Sequence, residues 1–515
     1  MDSKLPKNWV ETEFKELTSF VIGGDWGKDL EFEFDVESEI VSCIRGSEIK
    51  KWEKDKGNTA SIRKVKSSSL EKRALIEGDI LIEISGGGPD QPVGRTIYID
   101  KEALNVNSDH KKVCTNFLRL VRLYDNLDKK FVKNYLDSFY LSGEVLKYQG
   151  GSNNLRNLKF KEFETIKIPL PPLAEQQRIV AKLDTLFGSL DALKIRLNNI
   201  PQLIKNFKQA VLTQAVTGKL TQEWRVGKEL VSGDLLLLDE IKKSRNEILN
   251  KEILNGKSES KRLLNKIKKL EFEKPEELLP KNWIWTCLLE SCLKVVDCHN
   301  KTAPYVNEGI RLLRTTNIKE GKIHLKGSKF ITEETYNFWS KRCPPKANDI
   351  LFTREAPMGE TAIIPKNMKI CMGQRMMLLR TIPELLDSKF LLYNILSFSF
   401  QQRMISNAIG TGVKHLRVGD VERLTFPLPP KEEQTEIVKR VENLFSKADA
   451  IEKQYKTLKE KIDRLPQAIL AKAFKGELVA QLPTDGDAKD LLEEIKKLKE
   501  SLVVKPKKKV VRNKK

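Results

Sequence analysis

The sequence predicts an α+β protein in which two mixed α/β segments each lead into a long helix, one unit built twice. Three observations predict it. Pro169-Leu170-Pro171-Pro172 returns as Pro427-Leu428-Pro429-Pro430, and the shift, 427 − 169 = 258, holds without a gap through Leu220 and Leu478. Inside that stretch Ile179, Leu183, Leu186, Leu190, Leu193 and Leu197 step alternately by 4 and 3, the a/d seam of a coiled coil. The seam continues through Ile200, Ile204, Phe207 and Val211. Adding 258 gives Ile437, Val441, Leu444, Ala448, Ile451 and Tyr455, then Leu458, Ile462, Leu465 and Ile469, so apolar character persists where identity mostly does not. Finally, Leu5-Pro6-Lys7-Asn8-Trp9 recurs as Leu279-Pro280-Lys281-Asn282-Trp283 at 279 − 5 = 274. The second mixed segment is therefore 274 − 258 = 16 residues shorter than the first.

Within the mixed segments, Gly78-Asp79-Ile80-Leu81-Ile82 is matched by Asn348-Asp349-Ile350-Leu351-Phe352, a turn feeding a buried strand. Leu158, Phe163, Glu164 and Ile168 match Leu416, Val421, Glu422 and Phe426 at 258, which predicts a strand delivering the chain into the proline run. Those prolines lack amide donors and hold φ at about −65°, so they form a stiff extended lead into the rod. A helix from about Gln176 to Leu212 would reach roughly 55 Å at ~1.5 Å per residue, comparable with one to two turns of B-form DNA at ~34 Å each. Pro201 lies within the first rod, where a helix-interior proline costs about 3 kcal/mol. Because the seam keeps register across it, a kink and not a break is expected. The second rod carries Pro466 instead.

After the first rod a Lys/Glu-rich segment runs to about Pro280 as a helical linker. Its Leu237-Leu238-Asp239-Glu240-Ile241-Lys242-Lys243 reappears as Leu491-Leu492-Glu493-Glu494-Ile495-Lys496-Lys497, shifted by 491 − 237 = 254, and both copies read as short amphipathic helices. Lys505 to Lys515 carries seven basic residues and no acid, a tail expected to be disordered and to track phosphates without sequence preference.

Lys plus Arg number 92 against 71 Asp plus Glu, for a net charge of +21 and a pI near 9.4. That balance favours a polyanionic partner over a small acidic one, although basic charge also serves solubility. No stretch approaches the roughly 18 apolar residues of a membrane span, and Met1-Asp2-Ser3-Lys4 does not read as a signal peptide. A cytoplasmic protein without membrane partners is expected. The seven cysteines contain no CxxC pair and the four histidines are scattered, so reduced thiols and no structural metal are expected.

Catalytic motifs are missing. Methyl transfer to a base would need a Gly-rich donor loop and an Asn/Asp-Pro-Pro-aromatic motif; Cys343-Pro344-Pro345-Lys346 has only the prolines. Gly23-Gly24-Asp25-Trp26-Gly27-Lys28-Asp29 has the wrong spacing for a Walker A loop and an Asp where the Mg²⁺-binding hydroxyl must be. Gly86-Gly87-Gly88 reads either as a phosphate cradle or as a simple turn. The chain itself is expected to be non-catalytic.

Two stretches carry a family resemblance. Pro169 to Arg225, with Phe207-Lys208-Gln209-Ala210-Val211-Leu212 and Gly218-Lys219-Leu220-Thr221-Gln222-Glu223-Trp224-Arg225, and Pro427 to Leu478, with Leu465-Pro466-Gln467-Ala468-Ile469-Leu470 and Lys475-Gly476-Glu477-Leu478, resemble the conserved regions of specificity subunits of Type I restriction-modification systems. The resemblance covers nearly the whole chain. It implies target recognition domains at 1–168 and 279–426, spacer helices at 169–225 and 427–480, a charged helical linker at 226–278, and a short helix with basic tail at 481–515. It further implies that the two long helices pack as an antiparallel coiled coil, giving the repeat a pseudo-two-fold axis. Implied partners are double-stranded DNA, two modification subunits that bind S-adenosylmethionine and methylate adenine, and restriction subunits that use ATP and Mg²⁺. No cofactor is expected on this chain.

Two unlike heads on antiparallel rods would read two unlike half-sites across an unread gap, where a homodimer demands a palindrome. Arg and Lys bond guanine O6/N7 and Asn bonds adenine N6/N7. Candidate base readers are accordingly Arg45, Lys50, Arg95, Asn153, Asn154 and Arg156 in the first head, and Arg314, Asn317, Arg354, Arg375, Lys414, His415 and Arg417 in the second. Arg314-Thr315-Thr316-Asn317 and Phe352-Thr353-Arg354 resemble segments of the family's heads. The alternative is a coiled-coil tether whose heads bind other proteins.

Overall fold

The computed structural model describes residues 5–88, 91–152, 155–227 and 234–503. They form two compact units, 1–197 with 457–515, and 198–456.

In the first unit the chain enters on strand Val10–Glu13 and leaves on Lys167–Leu170, and these two pair antiparallel with Val10 opposite Leu170. Between them, an antiparallel sheet runs in the order Thr18–Gly23, Leu118–Leu123, Ile80–Glu83, Thr96–Tyr98. The apolar run at Ile80, Leu81 and Ile82 is fully buried, as its position inside the sheet requires. A second sheet, Ser61–Lys66, Ser38–Ile44, Lys112–Cys114, ends in a parallel pair. A ribbon of Gln149–Ser152, Leu155–Leu158 and Ser85–Gly87 completes the head. The core joins Ile80, Val121, Phe131 and Phe163 of the head to Ile179 and Leu183 of helix Leu173–Asn198, and to Leu470 and Phe474 of helix Lys431–Phe474.

The second unit repeats this plan. Its entry and exit strands, Ile284–Cys287 and Thr425–Leu428, pair antiparallel with Ile284 opposite Leu428. One sheet runs Lys294–Asp297, Met376–Arg380, Ile350–Arg354, Met358–Ile363, and another Lys329–Ile331, Ile310–Leu313, Ile370–Met372, again with the last pair parallel. Its core joins Phe390 and Phe426 to Val211 and Leu212 of helix Ile200–Val216, and to Ile437 and Val441. The helices run in opposite directions here: Lys208 Nζ meets Asp449 Oδ1 at 2.6 Å, while further along Arg440 Nη1 donates to Leu220 O at 2.7 Å.

Buried polar side chains fix each head to its helix. Glu175, wholly buried, accepts from Trp9 Nε1 at 3.0 Å and Asn8 Nδ2 at 3.3 Å. Its repeat partner Glu433 accepts from Trp283 Nε1 at 2.9 Å and Thr221 Oγ1 at 2.6 Å, and pairs with Arg225. The neighbouring amides Gln176 and Gln434 accept from Asp128 N and Asp387 N, each at the start of a helix. The LPKNW motif thereby acquires a role: its Trp satisfies a buried carboxylate, and its Pro closes on a glycine. A Cβ on Gly218 (φ +72) would come within 2.5 Å of Pro280, and one on Gly476 (φ +73) within 2.3 Å of Pro6. Asp79–Arg122 and Asp349–Arg380 ion pairs tie the central strands in the same repeated manner, at 2.8 and 2.6 Å.

The seam is partly corrected. Ile179, Leu183, Leu190, Leu197, Ile437, Val441 and Ala448 are buried, and Leu186, Leu444 and Tyr455 half-buried. Leu193 and Ile451, equivalent positions of the repeat, are 45% and 51% exposed. A straight helix turns every 3.6 residues and drifts about 20° per heptad against a 3.5 repeat, so the stripe rolls off the contact. At Pro201 the ladder breaks: the first helix ends at Asn198 and the next begins at Ile200, with the proline in its first turn, where no intrahelical donor is needed. Pro466, in contrast, sits inside an unbroken 44-residue helix.

The charged segment does more than link. Helices Asp234–Leu254 and Ser258–Lys268 pack on the second head, with Leu237, Leu238, Ile241 and Leu249 buried. Arg245, 1% exposed, donates Nη1 to the carbonyls of Leu289 and Glu290 at 3.2 and 2.5 Å. Lys294 Nζ bonds Glu252 Oε2 at 2.6 Å. Helix Ala488–Val503 packs likewise on the first head through Leu491 and Ile495. The basic tail lies outside the described residues. All seven cysteines are buried and unpaired, and no helix among the described residues is long and apolar enough to cross a membrane.

Candidate nucleic-acid interface

Both heads end the strand of their parallel pair in an arginine. In the first head Arg45 follows strand Ser38–Ile44 and opens a helical turn, Gly46–Lys51, closed by Glu48. Glu48 accepts from Arg45 N at 2.5 Å and from its guanidinium at 2.6 Å, and Nη2 also reaches Thr59 O at 2.9 Å. Arg95 is held by the buried carboxylate of Glu83, Nε to Oε2 at 2.8 Å and Nη2 to Oε1 at 2.5 Å. Hydrogen bonding to these carboxylates pushes both guanidinium pKa values further up. Arg156, half-buried on strand Leu155–Leu158, stands opposite Gly87 and Gly151. Lys50 is exposed. Asn153 and Asn154 lie outside the described residues.

In the second head Arg314 follows strand Ile310–Leu313 and opens the turn Thr315–Asn317; its Nη2 donates to Gly327 O at 3.1 Å. Asn317, a candidate base reader, lies inside that turn. It is 1% exposed, its amide donates to His324 O and Lys326 O, and its Oδ1 accepts from Arg314 N. A buried turn consumes the hydrogen-bonding groups that an adenine contact would need.

The fold brings Arg354, Arg375 and His415 together. Arg354 N donates to Arg375 O, Leu416 N donates to Arg354 O, and Arg354 Nη1 donates to Leu416 O at 2.9 Å. Glu355 forms a bridge with His415 and an ion pair with Arg375 at 3.3 Å. Thr315 Oγ1 donates to Ala356 O at 2.7 Å, which brings the Arg314 turn to the same edge. Lys414 is exposed beside His415, and Arg417, also exposed, caps helix Val418–Glu422. The result is a cationic edge whose guanidinium groups are set by backbone carbonyls and carboxylates.

Sequence reasoning missed Glu48 and Glu83, which orient the first head's arginines. The three-residue spacing of Arg45 and Glu48 was the available signal; Glu83 and Arg95 come together only through strand pairing.

A profile described as the Type I restriction modification DNA specificity domain matches residues 6–202 and 292–460. The chain belongs to this family. The EcoBI specificity subunit of Escherichia coli is 30% identical over 421 residues, spanning 79% of this chain and 78% of that one. The EcoKI specificity subunit of the same species is 28% identical over 509 residues, 96% of each. Among solved structures, the HsdS subunit from Thermoanaerobacter tengcongensis superposes with a TM-score of 0.54 at 19% identity, covering 92% of this chain and 98% of that one. That likeness establishes the specificity-subunit fold.

Proposed function

We propose that the chain is the DNA sequence-recognition subunit of a Type I restriction-modification complex, each head reading one half of a bipartite, asymmetric target. One observation carries this reading: the two heads share strand order and closure but differ at their edges, Arg45 gripped by Glu48 where Arg314 meets Asn317 and Gly327. A common framework with unlike edges suits two unlike half-sites.

The paired helices set the spacer and dock two modification subunits, which direct adenine methylation, while restriction subunits join for cleavage. Leu193 and Ile195 in one unit and Ile451 in the other leave apolar side chains exposed on these helices, which supports docking there. S-adenosylmethionine, ATP and Mg²⁺ belong to the partners, and this chain, non-catalytic, acts with them in the cytoplasm. Replacing residues 284–426 by another head, then mapping methylated adenines by single-molecule sequencing, tests the proposal. One half of the target changes and the other stays. If both halves change together, or if the chain with its modification partner shows no salt-sensitive preference for any bipartite duplex, the reading fails.

A further inference from the structure

The second head holds a cavity of about 240 Å³ whose lining contains Lys301, Arg314 and Arg375, the rings of Tyr305 and Trp339, and the hydroxyl-bearing Thr315. No carboxylate lines it. A cavity of about 200 Å³ elsewhere in the same unit instead mixes Glu259, Asp297 and Glu422 with its cations.

Three structural features prepare it. Strand Ile310–Leu313 runs parallel to Ile370–Met372, and these strands lead directly into Arg314 and Gly373. Gln374 anchors the far wall by donating to Asn300 O at 3.0 Å and accepting from Thr302 Oγ1 at 3.3 Å. Trp339 is braced by His299 at 4.5 Å between ring centroids. Meanwhile Arg314 Nε is buried without a hydrogen-bond partner among the described residues, and a buried donor left unpaired is costly.

Three cations on walls that carry no carboxylate, with only Arg375 paired from outside the lining, to Glu355, suit a phosphate, and aromatic faces beside them suit a base. The volume lies below the roughly 300 Å³ at which drug-sized pockets begin, which fits one nucleotide unit. Lys301 and Tyr305 come from the loop between Lys294–Asp297 and Ile310–Leu313; the corresponding loop of the first head, between Thr18–Gly23 and Ser38–Ile44, carries Asp25, Asp29, Glu31, Glu33, Asp35 and Glu37, so the feature is not a by-product of the shared framework.

We propose that this cavity binds a single nucleoside phosphate, the phosphate on Lys301, Arg314 and Arg375 and the base against Tyr305 and Trp339. Two sources share this chemistry: a nucleotide displaced from DNA, which rests on the DNA-recognition reading above, and a free mononucleotide, which does not.

The full chain is titrated at one salt concentration with a duplex carrying a single-nucleotide bulge, with the same duplex fully paired, and with deoxyadenosine monophosphate. About tenfold tighter binding of the bulged duplex, the size of one ring stack, supports DNA as the source. That preference is lost in Tyr305→Ala and in the double variant Lys301→Ala, Arg375→Ala, whose folding is checked by circular dichroism. Saturable monophosphate binding lost in the same variants, without a bulge preference, supports the pocket with a free nucleotide as occupant. Equal binding of both duplexes together with no saturable monophosphate binding overturns the proposal. Retained monophosphate binding with no binding to any duplex would count against the DNA-recognition reading alone.

Discussion

Glu433 serves three donors from a wholly buried position: Trp283 Nε1 at 2.9 Å, Thr221 Oγ1 at 2.6 Å and the Arg225 guanidinium. Glu433→Ala removes all three acceptor contacts and leaves Arg225 without its counter-ion. Each orphaned buried donor costs about 1–3 kcal/mol, and losing one member of a buried ion pair costs about 3–5 kcal/mol. Because the contacts share one carboxylate they do not sum independently, so the expected loss is about 3–5 kcal/mol. Glu433→Gln retains an acceptor and should lose about half as much, since charge-assisted hydrogen bonds are roughly twice as strong as neutral ones. Amide hydrogen exchange reads the effect locally. Strand Ile350–Arg354 shares the unit of Glu433 and should lose protection, while Ile80–Glu83 in the other unit provides the internal reference. A loss below about 1 kcal/mol, within the range of an ordinary single hydrogen bond, or an equal loss in both strands would refute the reasoning.

Burial tends to raise the Glu252 pKa, but hydrogen bonds and charge from Lys294, Ser260 and Lys257 outweigh it and bring it from the ordinary 4.5 down to about 2. A carboxylate depressed by folding stabilises fully above its ordinary pKa and loses that contribution as pH falls through the folded value. Proteolytic nicking of helix Ser258–Lys268 should therefore rise between pH 4.5 and about 2; Glu252→Gln should already show weaker protection at neutral pH and lack that added pH response. Along the first rod, Leu183→Asp buries a charge at a position with no exposure and should cost at least about 3 kcal/mol. Leu193→Asp, at 45% exposure, should stay within about 0.5 kcal/mol; comparable urea midpoints for the two variants would show the burial pattern to be mistaken.

The rods and the repeat were legible because apolar periodicity is local and the chain states it at a constant shift. What lay beyond reach depended on helical drift and on distant partners. Leu193 and Ile451 satisfy the 3.5-residue pattern and still face solvent, since the helix obeys its own 3.6-residue turn. Trp9 and Glu175 stand in duplicated motifs, yet their contact spans 166 positions, and no local spacing announces it. By the seam's register Pro201 is an interior residue, whereas the break at Asn199 makes it a first-turn residue. Asn317 shows the limit for the recognition edge: its type suits adenine, but the turn it closes leaves it no free group. Arg314 and Arg375 meet in one cavity because two strands pair in parallel, a topology that residue type does not reveal.

The pairing of Val10 with Leu170, and of Ile284 with Leu428, has a consequence for inheritance. Where a polypeptide departs and returns through hydrogen-bonded neighbours, the excursion between them can lengthen, shrink or be exchanged wholesale while both ends meet the host in one unchanged place. The 274 − 258 = 16 residues by which the two excursions differ are tolerated in this way. Recombination at the margins could thus equip an old scaffold with a new specificity in one event, without renegotiating the joints on which its stability depends.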